Sequence, residues 1–308
     1  MYEAALPPGG GGTLEERRAG YERMLALLPP APGAQSGTFA IGGTECVDVD
    51  ATGGAAVRTG VMLHGGGYVL GSASGYRSYA SYLSAAARAR VLVPEYRLAP
   101  EHPYPAAIED ALGAVKHAYE AVGPERAFVV GDSAGGGLAL STCLALRERG
   151  LPLPACVLLL SPLADVRAGS QTFVTNRDVD PVVTQRGIER AGQWYVGDAG
   201  PDQAPLAFPL ETDLAGLPPV QILVGTAEVL LDDSRRLRQK LTAGGVALEY
   251  AEYPDMVHCW PLFSSFLPEG REALAAMGRF VDRHVMRPED GERLPGATDL
   301  EHLIARPA

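Results

Sequence analysis

The sequence predicts one α/β domain built on a mostly parallel sheet with helices covering both faces. Three observations predict it. From about residue 38 onward, short continuous apolar runs alternate with helix-length segments, the pattern of strands buried on both sides. The 308 residues are 46% hydrophobic, enough for one large core. The alternation breaks once, over 165–205, where no strand candidate is found; that stretch reads as an insertion above the sheet edge.

Each element follows from local chemistry. Residues 1–12 are rich in Pro and Gly and read as a mobile lead-in. In "TLEERRAGYERMLALL" the residues Leu14, Tyr21, Leu25 and Leu28 fall at helical spacing, Thr13 is placed to cap the N-terminus, and Pro29, Pro30 and Pro32 end the helix. An amphipathic helix of this kind must rest on something. Strand candidates are 44–50, 58–63, 90–96, 126–130, 155–160, 219–224 and 246–253. Helix candidates are 75–89, 105–121, 134–149, 184–196, 232–243 and 271–285. The α/β domain therefore spans 38–287. The polar tail 288–308 is expected to be disordered, apart from a short helix around "DLEHLI".

Composition excludes several function classes. The formal net charge is −11 and no Lys/Arg run occurs, which argues against nucleic acid and anionic membrane surfaces as partners. The cysteines Cys46, Cys143, Cys156 and Cys259 form no CxxC pair, which fits a reduced, cytoplasmic protein without a zinc site. "MYEAALPPGGGG" lacks the cationic and apolar regions of a signal peptide, and no apolar run approaches the ~20 residues of a membrane span. The expected partner is a small molecule; a homodimer is compatible with the sequence, which does not specify one.

Two glycine motifs carry the chemistry. Gly131-Asp132-Ser133-Ala134-Gly135 matches G-x-S-x-G, the strand-to-helix turn that lifts a nucleophilic serine above a sheet. Composition alone supplies about 0.2 such matches, so the motif gains weight from its place at the end of a strand and the start of a helix. A bland reading, a Gly-rich turn of structural use only, stands beside it. The second motif, His64-Gly65-Gly66-Gly67, directly follows strand 58–63, and its backbone N–H groups can converge on an oxyanion. About 0.01 matches are expected by chance. No phosphate-cradle motif accompanies it. Among the six histidines, His117, His284 and His302 lie in helices or the tail, His102 sits among prolines, and His64 is placed to brace its loop. His258 follows the last strand, so it shares with Ser133 the carboxyl edge where open parallel sheets build their sites.

Taken together, "HGGGYVLGS", "VPEYRLAPEHPYPAAIEDA", "VGDSAGGGLAL", "LPPVQILVGTAEVLLDDS" and "YPDMVHCW" resemble the hormone-sensitive-lipase-like α/β-hydrolases, the type IV bacterial esterases, over about residues 60 to 260. The resemblance implies the α/β-hydrolase fold with an eight-stranded sheet and a small helical cap made partly from the N-terminal segment, residues 1–37. It implies a Ser–acid–His triad acting through an acyl-enzyme on small carboxylic esters with short acyl chains, and no metal or organic cofactor. Carried over by position, Ser133 is the nucleophile, His258 the base, and Gly65, Gly66 and Ala134 the oxyanion donors. The family's Asp-Pro-Leu-x-Asp is Glu228-Val229-Leu230-Leu231-Asp232 here, so Glu228 and Asp232 both stand as the acid. Glu228 is preferred because it falls just beyond strand 219–224, whereas Asp232 and Asp233 begin a helix and have a capping job available. Trp194 and Tyr195 of the insertion are candidates to line the site. A biosynthetic deacetylase or a lactone hydrolase would use the same residues, a dehydratase on this scaffold would need the base without requiring an acyl-enzyme, and a ligand receptor on this fold is the reading from another class.

Overall fold

The structure, a computed structural model, describes residues 12–287. The expectations for 1–11 and for the tail 288–308 lie outside the described residues.

Helix α1 (Leu14–Ala26) begins with a capping box: Glu16 N–H donates to Thr13 Oγ1 at 3.2 Å, and Thr13 N–H donates to Glu16 Oε2 at 2.8 Å. It ends at Ala26, before the prolines are reached. Strand β1 (Gln35–Ile41) is the element that sequence reading misses. It is an edge strand with no fully buried position, so it carries no apolar signature. The rest follow in order: β2 (Thr44–Asp50), β3 (Thr59–Leu63), α2 (Arg77–Ala87), β4 (Arg90–Pro94), α3 (Ala106–Val122), β5 (Ala127–Asp132), α4 (Ala134–Glu148) and β6 (Cys156–Leu160). After β6 come α5 (Thr172–Thr175), α6 (Gln185–Val196), β7 (Val220–Gly225), α7 (Leu231–Ala243), β8 (Leu248–Tyr253) and α8 (Pro268–His284). Strand candidate 90–96 stops at Pro94, and candidate 246–253 starts only at Leu248.

The eight strands form one sheet in the order β1-β2-β4-β3-β5-β6-β7-β8. β2 runs antiparallel to both β1 and β4, and every other pairing is parallel. Strands β3, β5, β6 and β7 are buried at every position, as strands covered on both faces must be. Helix α2 packs on α8, and α3 packs on α4 against β3 and β5. The parallel strands all deliver their carboxyl ends to one edge, and the loops leaving β3, β5, β6, β7 and β8 gather there.

Helix α1 rests above that edge. Arg18 Nε donates to Val69 O (2.8 Å), and its Nη2 reaches Ala99 O (3.0 Å) while the guanidinium grips Glu101 at 2.7 and 2.8 Å. Tyr21 and Leu25 are buried, and Leu28 packs just beyond the helix end. Residues 165–205 contain no strand; they carry α5 and α6.

Candidate active site

Gly131 and Asp132 end β5 as part of the strand, and Ser133 then turns the chain into α4. Ser133 holds φ 53° and ψ −123°, a left-handed conformation that a side chain normally avoids. The turn tolerates it because α4 starts against the neighbouring loop. A Cβ on Gly135 would lie 1.9 Å from Leu63 O, so only glycine allows the helix to approach β3 this closely. Ser133 N–H is held by Leu160 O at 2.9 Å, and Ser133 O accepts Leu163 N–H at 2.8 Å. The hydroxyl is thereby presented at the sheet edge on a backbone with little freedom.

Three loops bring three side chains together. Ser133 Oγ donates to His258 Nε2 at 2.9 Å, and His258 Nδ1 donates to Glu228 Oε2 at 2.6 Å. Ser133, His258 and Glu228 are all buried, Glu228 completely. The other carboxylate oxygen, Glu228 Oε1, accepts Gly225 N–H (2.6 Å) and Ser161 Oγ–H (2.8 Å). Both oxygens are therefore committed, which fixes the carboxylate plane. Burial pushes the His258 imidazole toward neutrality, but the bond to Glu228 and the charges of Glu228, Asp180 and Asp132 outweigh it and hold its pKa above the ordinary value. The Cys259 sulfur sits 3.4 Å from His258 Nε2. Burial, with Asp132 and Glu228 nearby, pushes that thiol well up, so it is a neutral neighbour rather than a rival nucleophile.

The other carboxylates are engaged elsewhere. Asp232 does not cap α7; the capping position is Leu230, without a side-chain bond, and Asp232 instead accepts Gln171 N–H at 3.3 Å. Asp233 accepts the N–H groups of Ala164 (3.1 Å) and Asp165 (3.2 Å), where the chain leaves β6 for the insertion. Burial pushes the Asp233 carboxyl up to about 7. A folded-state value above the unfolded one means that the native fold binds the proton more tightly. Its contribution to stability is thus fully present below about pH 4 and is lost as pH rises through about 7. Asp233→Asn keeps an acceptor oxygen for both amides and removes the buried charge. Thermal melts at pH 5 and pH 8 should show the variant gaining on the parent at the higher pH. An offset that is the same at both values would rule out this titration.

The glycine loop requires a correction. Gly65 N–H is already committed, to Asp132 Oδ1 at 3.0 Å and Tyr76 Oη at 3.1 Å, so it is not available to an oxyanion. It belongs to a buried chain in which Tyr21 Oη meets Tyr76 Oη at 2.8 Å and Tyr76 donates to Asp132 Oδ2 at 2.9 Å. Burial pushes Asp132 up to about 6 against the pull of Tyr76, His258, Gly65 and Cys259. The N–H groups of Gly66, Gly67 and Ala134 meet no acceptor among the described residues. Gly66 holds φ 117°, and a Cβ there would lie 2.2 Å from Leu70 O, so its turn admits only glycine. His64 braces the loop: its Nδ1 donates to Gly65 O (2.8 Å), and its ring stacks on Tyr96 with centroids 4.2 Å apart. Burial lowers its pKa to about 4, so it is neutral at pH 7.

The insertion closes over this edge. Tyr195 is buried and stacks on Tyr68 with ring centroids 3.9 Å apart, and Tyr104 meets it edge-on. Trp194 is half-buried beneath the Arg190 guanidinium. At Gly67 an added Cβ would lie 3.3 Å from Ala191 Cβ, so α6 sits directly against the glycine loop.

Sequence reasoning placed Asp132 and Gly67 in their motifs without giving either a part of its own, and it missed Ser161 and Tyr76. Of these two Ser161 offered a signal, since it lies just past strand 155–160 at the same edge as Ser133.

The chain is similar in sequence and fold to known proteins. The profile of the alpha/beta hydrolase fold family matches residues 60–262. An acetyl-hydrolase of Streptomyces hygroscopicus is 41% identical over 225 residues, 73% of this chain and 75% of that protein. An esterase of Acinetobacter venetianus is 31% identical over 262 residues, covering 84% and 86%. The crystal structure of an esterase from the bacterial hormone-sensitive lipase family superposes with a TM-score of 0.88 at 39% identity, covering 92% of this chain and 95% of that one.

Proposed function

Because the chain belongs to the bacterial hormone-sensitive lipase family of α/β-hydrolases, we propose that Ser133, His258 and Glu228 are its catalytic triad and that Gly66, Gly67 and Ala134 supply the oxyanion hole. The chain is a serine hydrolase of carboxylic esters. The observation that carries the triad reading is the unbroken hydrogen-bond chain from Ser133 Oγ through the His258 ring to Glu228, at 2.9 and 2.6 Å.

The reaction runs in two halves. His258 Nε2 takes the Ser133 proton as Oγ attacks the ester carbonyl, and Glu228 holds the imidazole in the tautomer that can accept it. Negative charge develops on the carbonyl oxygen and is met by the uncommitted N–H groups; in such sites one donor is worth about 10²–10³ in rate. The imidazolium then protonates the departing alkoxide. Water, activated by the same His258, attacks the acyl-enzyme and releases the acid, and Ser133 recovers its proton.

We place the substrate among small esters with short acyl chains. The support is the cap: α1 and the insertion 165–205 lie over the site, with α6 against Gly67 and the Tyr68–Tyr195 stack filling the space beside it. The 41% identical acetyl-hydrolase favours acetyl esters within that class. Among the described residues no helix is long and apolar enough to cross a membrane. The four buried, unbridged cysteines support a cytoplasmic setting.

The test is an aryl-ester series from acetyl to long acyl chains, run beside a lactone and an acetamide. Acetyl to butyryl esters should give the highest kcat/KM, with a steep fall beyond. A maximum at long chains would refute the small-acyl assignment, and a faster lactone or acetamide would move the substrate class.

A further inference from the structure

The loop that carries Glu228 is held from outside the sheet. Residues 226–230 join β7 to α7, and the insertion clamps their backbone side chain by side chain. Asn176 Nδ2 donates to Thr226 O (3.1 Å) and to Glu228 O (2.9 Å). Asp180 Oδ2 accepts Val229 N–H at 2.8 Å, and its Oδ1 accepts Val182 N–H (2.8 Å) and Val183 N–H (2.9 Å). Thr172 Oγ1 donates to Val229 O at 2.6 Å and accepts Asp232 N–H at 3.1 Å. Thr226 and Val229, which bracket Glu228, and the Glu228 carbonyl itself are thus all held by the insertion. Asp180 is buried and pairs with no cation among the described residues, so three backbone N–H groups satisfy it.

We propose that Asn176 and Asp180 are positioning residues that act on the reaction through Glu228, so that the insertion completes the acid side of the site as well as covering it. Serine hydrolysis needs the carboxylate within hydrogen-bond reach of His258 Nδ1, and misplacement by about 1 Å in such sites costs up to about 10²-fold in rate. The bonds from Asn176 and Asp180 oppose that displacement directly. Asp180 has a second effect. His258 faces Glu228 from the loop after β7, Asp132 from the end of β5, Cys259 from its own loop and Asp180 from the insertion. The negative charges among these favour the imidazolium that forms as Ser133 attacks.

The proposal rests on the triad reading, and its test separates the two. Asp180→Asn has one acceptor oxygen where three N–H groups converge, so it must release one side of the clamp and also lose the charge. We expect kcat to fall about 10- to 100-fold with KM changed less than about threefold. The acid limb of the kcat/KM profile should move to lower pH, because removing a negative charge lowers the pKa of His258. In a Glu228→Gln background the same substitution should cost less than about threefold more, since both act through one carboxylate. Asn176→Ala removes two bonds and no charge; kcat should fall, and the acid limb should move to lower pH by less than in Asp180→Asn, because Glu228 is loosened but no charge is lost. This arm also decides the matter if Asp180→Asn does not fold. A purely structural role would lower the melting temperature or raise KM while kcat and the acid limb hold, and the Asp180→Asn and Glu228→Gln losses would multiply; either result overturns the proposal. Activity retained in Ser133→Ala or Glu228→Gln would instead overturn the triad reading beneath it.

Discussion

Ser133→Ala should fold like the parent and lose about 10⁴-fold or more of its turnover on a short aryl ester, as triads whose members act as a unit do. The fold should survive because the backbone conformation is enforced by neighbours that the substitution leaves alone. Ser133 N–H stays on Leu160 O, Ser133 O stays on Leu163 N–H, and the Cβ is already accommodated at φ 53°. What disappears is one hydroxyl and its bond to His258 Nε2, a change of about 1 kcal/mol in stability. Paired measurements of kcat/KM and melting temperature check this. Turnover within tenfold of the parent would remove Ser133 as nucleophile, and a serine-reactive phosphonate should label the parent but not the variant.

Glu228→Gln should lower turnover by about 10³–10⁴-fold with the fold intact, and the geometry says why. Gly225 N–H and Ser161 Oγ–H both point at Oε1, so a glutamine must keep its oxygen there. Its NH₂ group then replaces Oε2 in front of His258 Nδ1. A donor facing Nδ1 forces the ring into the tautomer whose Nε2 carries the proton, and that nitrogen cannot accept one from Ser133. Loss of the neighbouring charge should also move the acid limb of kcat/KM to lower pH. Asp232→Asn is the control. Its carboxylate is half-exposed and holds one long bond to Gln171 N–H, so the variant should lose about 1 kcal/mol or less and keep its turnover. A loss of turnover in Asp232→Asn with Glu228→Gln unaffected would transfer the acid role to Asp232.

The legible features were those that a few neighbouring residues decide. G-x-S-x-G and HGGG are readable because a strained turn and a tight backbone approach exclude side chains locally, so glycine has to appear in the sequence itself. The strands β3, β5, β6 and β7 are readable because burial on both faces requires apolar runs. Chain order and strand-end placement bring Ser133, His258 and Glu228 to one edge on paper, since the parallel sheet sends all those ends the same way.

Contacts between distant parts of the chain left no such trace. Strand β1 is invisible because an exposed edge strand needs only backbone partners. Gly65 and Gly67 are interchangeable as letters; Asp132, 67 residues further along, captures the N–H of the first and leaves that of the second free. Asn176 and Asp180 sit in a polar stretch without periodicity, and their partners are backbone atoms some fifty residues away. A backbone carbonyl or N–H belongs to every residue type, so its use as a partner leaves no mark on the sequence. The sequence by itself therefore determined the sheet, the serine turn and the residues able to do the chemistry. Only the tertiary structure decided which N–H groups remain free and what holds Glu228 against His258, because those depend on which donors meet which acceptors once the chain is folded.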